Sequence, residues 1–237
     1  MKYTSTMTME GLDDYGLGGV DCELCGNTGY IVRKNEDGVV VSKECKCMAQ
    51  RRSMRKIREC GMLDMIDRYT FESYKTPDKE REKIKEGVKR FSDGDDGWMY
   101  VFGCSGSGKT HLCTAACVKL IARGIEVYYM SWRDESTALK GLVMDSDVYV
   151  KKMQKLKTVP VLYIDDFFKG GYTEADVRLA FEIINARYND RKLRTIISSE
   201  IGIKSLLNID EALGGRIYER ARRNIISMPN SNWRLNK

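Results

Sequence analysis

Gly103-Cys104-Ser105-Gly106-Ser107-Gly108-Lys109-Thr110 is the stretch from which the rest of the chain can be read. It fits G-x-x-x-x-G-K-[ST] in full. An apolar strand is expected before it, at Trp98–Phe102, and a helix after it, at Thr110–Arg123. The glycines allow the backbone to wrap a phosphate with its N–H groups turned inward. The helix that starts there adds the positive end of its dipole. Lys109 is expected to reach the β- and γ-phosphates and the Thr110 hydroxyl to bind Mg²⁺. Gly103, Cys104, Ser105, Gly106, Ser107 and Gly108 supply the cradle. His111 follows directly and counts among the nucleotide-side residues, although packing explains it better than catalysis.

Downstream, Val161-Leu162-Tyr163-Ile164-Asp165-Asp166 reads as a buried strand, Val159–Ile164, with two carboxylates where it emerges. Open α/β sheets carry their chemistry at such carboxyl ends. Asp165 is the expected Mg²⁺-shell residue, and Asp166 the one that orients or deprotonates a water. The stretch between Lys109 and Asp165 leaves room for a helix, a strand at Ile125–Met130 and a basic, mostly helical stretch to Thr158. The two phosphate-site strands are then not neighbours, because another strand lies between them. That arrangement resembles the AAA+ and RecA-like division of P-loop ATPases, and no Asn-Lys-x-Asp guanine-reading motif is present. A helix at Glu174–Asp190, a strand at Thr195–Ser198, short helices to Arg223 and a strand at Ile225–Met228 follow. Tyr128, Tyr129 and Tyr163 read as core strand residues. The fold expected is α/β, a three-layer αβα P-loop core around a parallel sheet.

Ahead of this core the pattern differs. Four of the eight Cys, Cys22, Cys25, Cys45 and Cys47, cluster in one short stretch, and the chain has one His. A metal site here would use thiolates alone. The spacing C-x2-C-x19-C-x-C suits structural Zn²⁺, with Gly26 folding the chain back after the first pair. A hairpin of Ile31-Val32 and Val39-Val40-Val41, turning at Asn35–Gly38, would bring the second pair alongside. Free thiols and an iron–sulfur cluster remain as other readings. A basic helix is expected over 48–62, a connector with Tyr69-Thr70-Phe71 over 63–75, and a helix opening at Thr76-Pro77 and running to Phe91. Residues 1–20 show no periodicity. This divides the chain into a zinc-binding module, 1–62, and an ATPase domain, 63–237.

The formal charge of +6 is uneven, with seven basic residues and one acid from Lys43 to Arg58. Arg216, Arg220, Arg222 and Arg223 form a second basic group. Each suits a polyanion or an acidic partner, and equally a solvated helix face. Trp132-Arg133, Lys140, Lys151-Lys152, Lys155 and Lys157 form a third stretch that could face DNA. Nothing approaches a membrane span of about 18 apolar residues, and Met1–Glu10 lacks the apolar core of a secretory signal. A cytoplasmic protein with no membrane partner is expected.

Taken in order, the Cys knuckle (Cys22–Tyr30, Cys45-Lys46-Cys47), Tyr69-Thr70-Phe71, the loop Gly103–Thr110, Ile164-Asp165-Asp166, Ile196–Glu200 and Asp210–Arg220 resemble the DnaC/DnaI family of replicative helicase loaders, particularly phage versions. The resemblance implies an AAA+ ATPase with weak turnover, stimulated by DNA or a partner. ATP would act as a switch for assembly and release. It implies binding of single-stranded DNA and of a DnaB-type helicase, the latter through the N-terminal module, and self-association into an ATP-bridged oligomer. Arg216 would be the arginine finger for the neighbouring subunit's ATP, with Arg220 as the fallback. Ser199-Glu200 stands where many AAA+ proteins carry a sensor Asn. The short stretch after Arg223 implies no helical lid. Two rival readings are an IstB-like ATPase that assists a transposase, and a zinc-containing nucleic-acid adaptor whose nucleotide site does not hydrolyse.

Overall fold

A computed structural model describes residues 22–59, 63–94, 97–142 and 145–233. The expectations for residues 1–20 and for the last residues of the basic helix, 60–62, lie outside the described residues. The chain begins with a hairpin, β1 (Tyr30–Lys34) and β2 (Val40–Glu44), then α1 (Cys47–Glu59), α2 (Leu63–Arg68) and α3 (Lys79–Asp93). The core follows as β3 (Met99–Phe102), α4 (Lys109–Ala122), β4 (Val127–Ser131), α5 (Trp132–Gly141), α6 (Ser146–Thr158), β5 (Val161–Phe167) and α7 (Glu174–Asn189). It closes with β6 (Arg194–Ser199), α8 (Ile203–Ile209), α9 (Glu211–Ala221) and β7 (Ile225–Ser227).

The core strands form one parallel sheet in the order β4-β5-β6-β3-β7. The two phosphate-site strands are not neighbours, as expected, but the strand between them is β6, from later in the chain, while β4, the strand read within the spacing, lies at the edge beyond β5. Side chains alternate across this sheet with period two. Met99, Val101, Val127, Val161, Tyr163 and Ile196 face the layer of α3 and α4. Trp98, Tyr100, Leu162, Ile164 and Ile197 face the layer of α5 to α9. Both faces are covered, which is why these strands read as nearly continuous apolar runs.

Several boundaries differ from the sequence reading. The connector over 63–75 contains α2. The third helix is capped by Asp78, whose side chain accepts from the Arg81 N–H at 2.8 Å, and not by Thr76. A carboxylate on an N-terminal N–H is the stronger cap, and Pro77 then sits just outside the helix. Strand β5 starts after Pro160 and runs through both Asp165 and Asp166 to Phe167. Its register with β6 shifts between Ile164 and Phe167.

Arg187 is buried in the α7 layer. It donates to Thr195 Oγ1 and to the carbonyls of Leu156, Val159 and Arg194, at 2.6–3.0 Å. Burial lowers its pKa to about 9. Arg220 is buried too, over the Trp98 ring (5.2 Å), and donates to carbonyls at the end of α7 and just beyond. These contacts make Arg220 part of the core and remove it as a fallback finger.

Within α9, adjacent glycines have opposite surroundings. A Cβ on Gly214 would lie 2.9 Å from the backbone of Leu207, and one on Gly215 would meet nothing within 4 Å. Gly214→Ala is therefore expected to force α8 and α9 apart and cost about 1–3 kcal/mol. Gly215→Ala is expected to be neutral or to add up to about 1 kcal/mol of helix propensity. Thermal unfolding of the two variants reads this difference directly.

Candidate nucleotide site and thiolate cluster

The phosphate loop leaves β3 and delivers Lys109 and Thr110 to the first turn of α4. Gly106 (φ 72°) and Gly108 (φ 99°) adopt left-handed backbone that a side chain would resist. The Lys109 ammonium lies back over the loop, donating to the carbonyls of Gly103 and Cys104 at 2.9 Å each. Burial holds it below its usual range, against the pull of Glu200 and Asp166.

Asp165 falls on the same sheet face as Tyr163 and Val161, the face that α4 covers. Its carboxylate accepts four hydroxyls. Thr110 Oγ1 donates at 3.3 Å, Tyr163 Oη at 2.7 Å and Tyr129 Oη at 3.2 Å, and Ser198 Oγ also donates. Burial, with Asp165 beside it, pushes the Tyr163 hydroxyl well up, so it remains a protonated donor. The two tyrosines read as core residues in the sequence, and their rings are in the core. Their hydroxyls nevertheless complete the Asp165 site, and only strand pairing reveals it: Tyr129 is opposite Tyr163, and Ser131 opposite Asp165.

Asp166 and Phe168 both have positive φ (54° and 58°). Non-glycine residues in this region cost free energy and gather at functional sites. The kink turns Asp166 away from Asp165. Its backbone N–H donates to Ser198 Oγ at 3.1 Å, and its carboxylate pairs with Lys169 at 2.8 Å. Lys169 is also 3.8 Å from Glu200. At the position where the resemblance implies a sensor, Ser199 is buried and donates to the Phe167 carbonyl at 2.7 Å. It is Ser198 that touches the Asp165 carboxylate.

His111 is stacked on Tyr69 (4.8 Å) and edge-on to Tyr74 (5.1 Å). Its Nε2 lies 2.9 Å from the Thr70 carbonyl. Burial lowers its pKa, so it is a neutral anchor tying the connector to α4. Arg216 lies on α9. It donates to Asn185 Oδ1 (3.0 Å) and to the Ala212 carbonyl (2.9 Å), with its guanidinium over Phe181 and Tyr188. These partners belong to α7 and α9 and not to the phosphate loop. Trp132 is buried, edge-on to Phe167 and Phe168, which removes it from any DNA-facing surface.

The sulfurs of Cys22, Cys25, Cys45 and Cys47 all lie within 4.8 Å of one another. Cys22 and Cys45 are 3.7 Å apart, and Cys25 and Cys47 3.6 Å. A tetrahedron with Zn–S bonds of about 2.3 Å has S···S edges of about 3.8 Å, so the donor set fits Zn²⁺. The Gly29 N–H donates to Cys25 Sγ at 3.3 Å. Arg51, buried on α1, donates to the Asn27 carbonyl at 2.9 Å and locks the knuckle to that helix. Thr110 and Asp165 likewise present paired oxygens that fit Mg²⁺.

A family described as IstB-like ATP binding protein matches residues 31–235. The chain is 31% identical over 232 residues to the protein XkdC of the phage-like element PBSX of Bacillus subtilis (strain 168), covering 91% of this chain and 85% of that one. It is 22% identical over 209 residues to the replicative helicase loader DnaC of Escherichia coli (strain K12), with 84% and 80% covered. A crystal structure of the DnaC helicase loader superposes with a TM-score of 0.58 at 22% identity, over 69% of this chain and 98% of that one, and so shares the fold.

The thiolate geometry predicts about one zinc per chain in purified protein. Cys45→Ser is expected to bind at most a small fraction of that, with the three remaining cluster thiols becoming reactive. Elemental analysis and thiol titration before and after chelation measure both.

Proposed function

Because the chain belongs to the family of IstB-like ATP-binding proteins and has the AAA+ α/β fold shared with the DnaC helicase loader, we propose that it is an ATP-dependent loader of a DnaB-type replicative helicase. The observation that carries this reading is the meeting of Lys109, Thr110 and Asp165 at one edge of the sheet, in a chain that also bears a four-thiol module bonded to that core. Residues 1–62 are the partner-facing module and 63–237 the ATPase domain.

The loop N–H groups and Lys109 bind the triphosphate, and Lys109 exchanges its two carbonyl partners for phosphate oxygens. Thr110 and Asp165 would hold a Mg²⁺, which would supply positive charge beside the phosphates. Asp166 orients a water and accepts its proton once Lys169 yields. The existing Asp166–Lys169 pair is a physical reason for slow turnover without a partner. Arg216 of an adjacent copy offsets charge developing on the γ-phosphate, which couples ATP to side-by-side assembly. Among the basic residues between β4 and β5, Lys140, Lys155 and Lys157 are paired with Asp176, Glu126 and Glu182. Arg133, Lys151 and Lys152 are exposed and are the stronger contacts for single-stranded DNA. Cys22, Cys25, Cys45 and Cys47 would hold a Zn²⁺ at the base of the hairpin, whose exposed Val32, Val39 and Val40 and the nearby Leu24 offer the helicase an apolar surface.

The second reading, an IstB-like helper of a transposase, is favoured by the family description itself. Capture of a DnaB-type helicase against capture of a transposase separates the two.

Lys109→Ala is expected to abolish ATP turnover and helicase loading at saturating ATP. Loading equal to wild type would refute the switch. Arg216→Ala is also expected to be inactive alone. Mixed with Lys109→Ala, it should regain about a quarter of wild-type turnover, because one in four interfaces then joins an intact Lys109 to an intact Arg216. A mixture as inactive as its components would exclude a finger supplied by the neighbour.

A further inference from the structure

The strand order gives the nucleotide site a direction. The phosphate loop follows β3. Asp165 lies on β5, to one side beyond β6, and β7 lies on the other side. A triphosphate whose terminal end faces Thr110 and Asp165 therefore leads its ribose and base away from β5, toward β7. What stands on that side is the segment that continues from β7, Met228 to Trp233.

This segment is bonded to the loop. The Met228 N–H donates to the Phe102 carbonyl at 2.8 Å and the Trp233 N–H to the Gly106 carbonyl at 3.1 Å. A Cβ on Gly103 would lie 2.8 Å from Met228 Cβ, and one on Gly106 would run into the Asn232 side chain. The segment thus holds the loop through the carbonyls of Phe102 and Gly106 and not through its N–H groups. Arg81 holds it from α3, with its guanidinium 4.9 Å from the centroid of the Trp233 ring and an N–H donated to Ser231 Oγ.

A second observation points to a ligand. Trp233 Nε1, Tyr74 Oη and Ser107 Oγ are buried and have no hydrogen-bond partner among the described residues. Tyr74 overlies the last glycine of the loop, since a Cβ on Gly108 would lie 3.4 Å from its hydroxyl. Buried donors are almost always satisfied, and each exception calls for an explanation. A purine ring offers acceptor nitrogens along its edge and a face that an indole can pack against.

We propose that Trp233, presented by the segment after β7 and held by Arg81, reads the base in the nucleotide site, its indole N–H donating to a ring nitrogen of a purine. The assignment rests on the ATP-binding reading above and adds the residue that distinguishes a nucleotide from a bare triphosphate. The segment is built on the same loop that holds the phosphates, and because the indole N–H of Trp233 is buried, the ring must turn for a base to reach it.

The test titrates full-length protein with Mg-ATP and with inorganic tripolyphosphate, for wild type and Trp233→Phe. The variant keeps an aromatic ring and loses the N–H. ATP affinity should fall about tenfold, the value of one hydrogen bond to a buried donor, with tripolyphosphate affinity unchanged. ATP should also change the intrinsic tryptophan fluorescence of the wild type and not of the variant, because Trp98 and Trp132 are in the core. Equal ATP affinity in both proteins would overturn the assignment. So would an equal loss of ATP and tripolyphosphate, which would make Trp233 a brace for the loop alone. Wild-type protein that binds neither ligand overturns the nucleotide reading itself, and this assignment with it.

Discussion

A buried carboxylate surrounded by hydroxyls lies at the centre of this protein. Removing a carboxylate from water is costly unless its oxygens are hydrogen-bonded. Asp165 meets that requirement with Thr110 from the phosphate helix, Tyr163 from its own strand, Tyr129 from one neighbouring strand and Ser198 from the other. Three parallel strands and α4 must be in register for these groups to converge. The same requirement accounts for the bulge in β5 and the left-handed Asp166, which turns the second carboxylate out toward Lys169. The four donors are neutral, and among the described residues no side-chain cation pairs with Asp165 at the place a Mg²⁺ would take beside Thr110.

Among the described residues, the four-thiol module is joined to this core through α1 and the shared acid Glu126. On α1, Gln50 donates to the Ile121 carbonyl at the end of α4, and Ser53 accepts the Val127 N–H at the start of β4. Glu126, just before β4, receives Arg52 from α1 and Lys155 from α6. The module, the helix that follows the phosphate loop and the basic helix proposed for DNA therefore meet at one corner. Part of the basic run from Lys43 to Arg58 is accounted for there: Arg51 holds the knuckle and Arg52 the core, so these two are structural and not a free polyanion surface.

The sequence by itself determined the parallel α/β core, the glycine-rich loop between β3 and α4, and the thiol quartet. Each of these depends on local information. A phosphate loop needs glycines and a lysine at fixed spacing, a doubly covered strand needs an uninterrupted apolar run, and a thiolate site needs pairs of Cys close in the chain. Only the tertiary structure decided what surrounds them. Tyr129, Tyr163 and Ser198 come from three strands, and no spacing in the chain predicts that their hydroxyls share one carboxylate. Arg220 and Trp132 look like functional residues in a linear reading, yet packing against Trp98 and against Phe167 and Phe168 makes them core. Trp233 is remote from Gly106 along the chain and reaches it because β7 runs parallel beside β3. Short-range pattern fixes which element a residue joins. The sheet order fixes which distant residues become neighbours, because in a parallel sheet every strand brings its carboxyl end to the same edge.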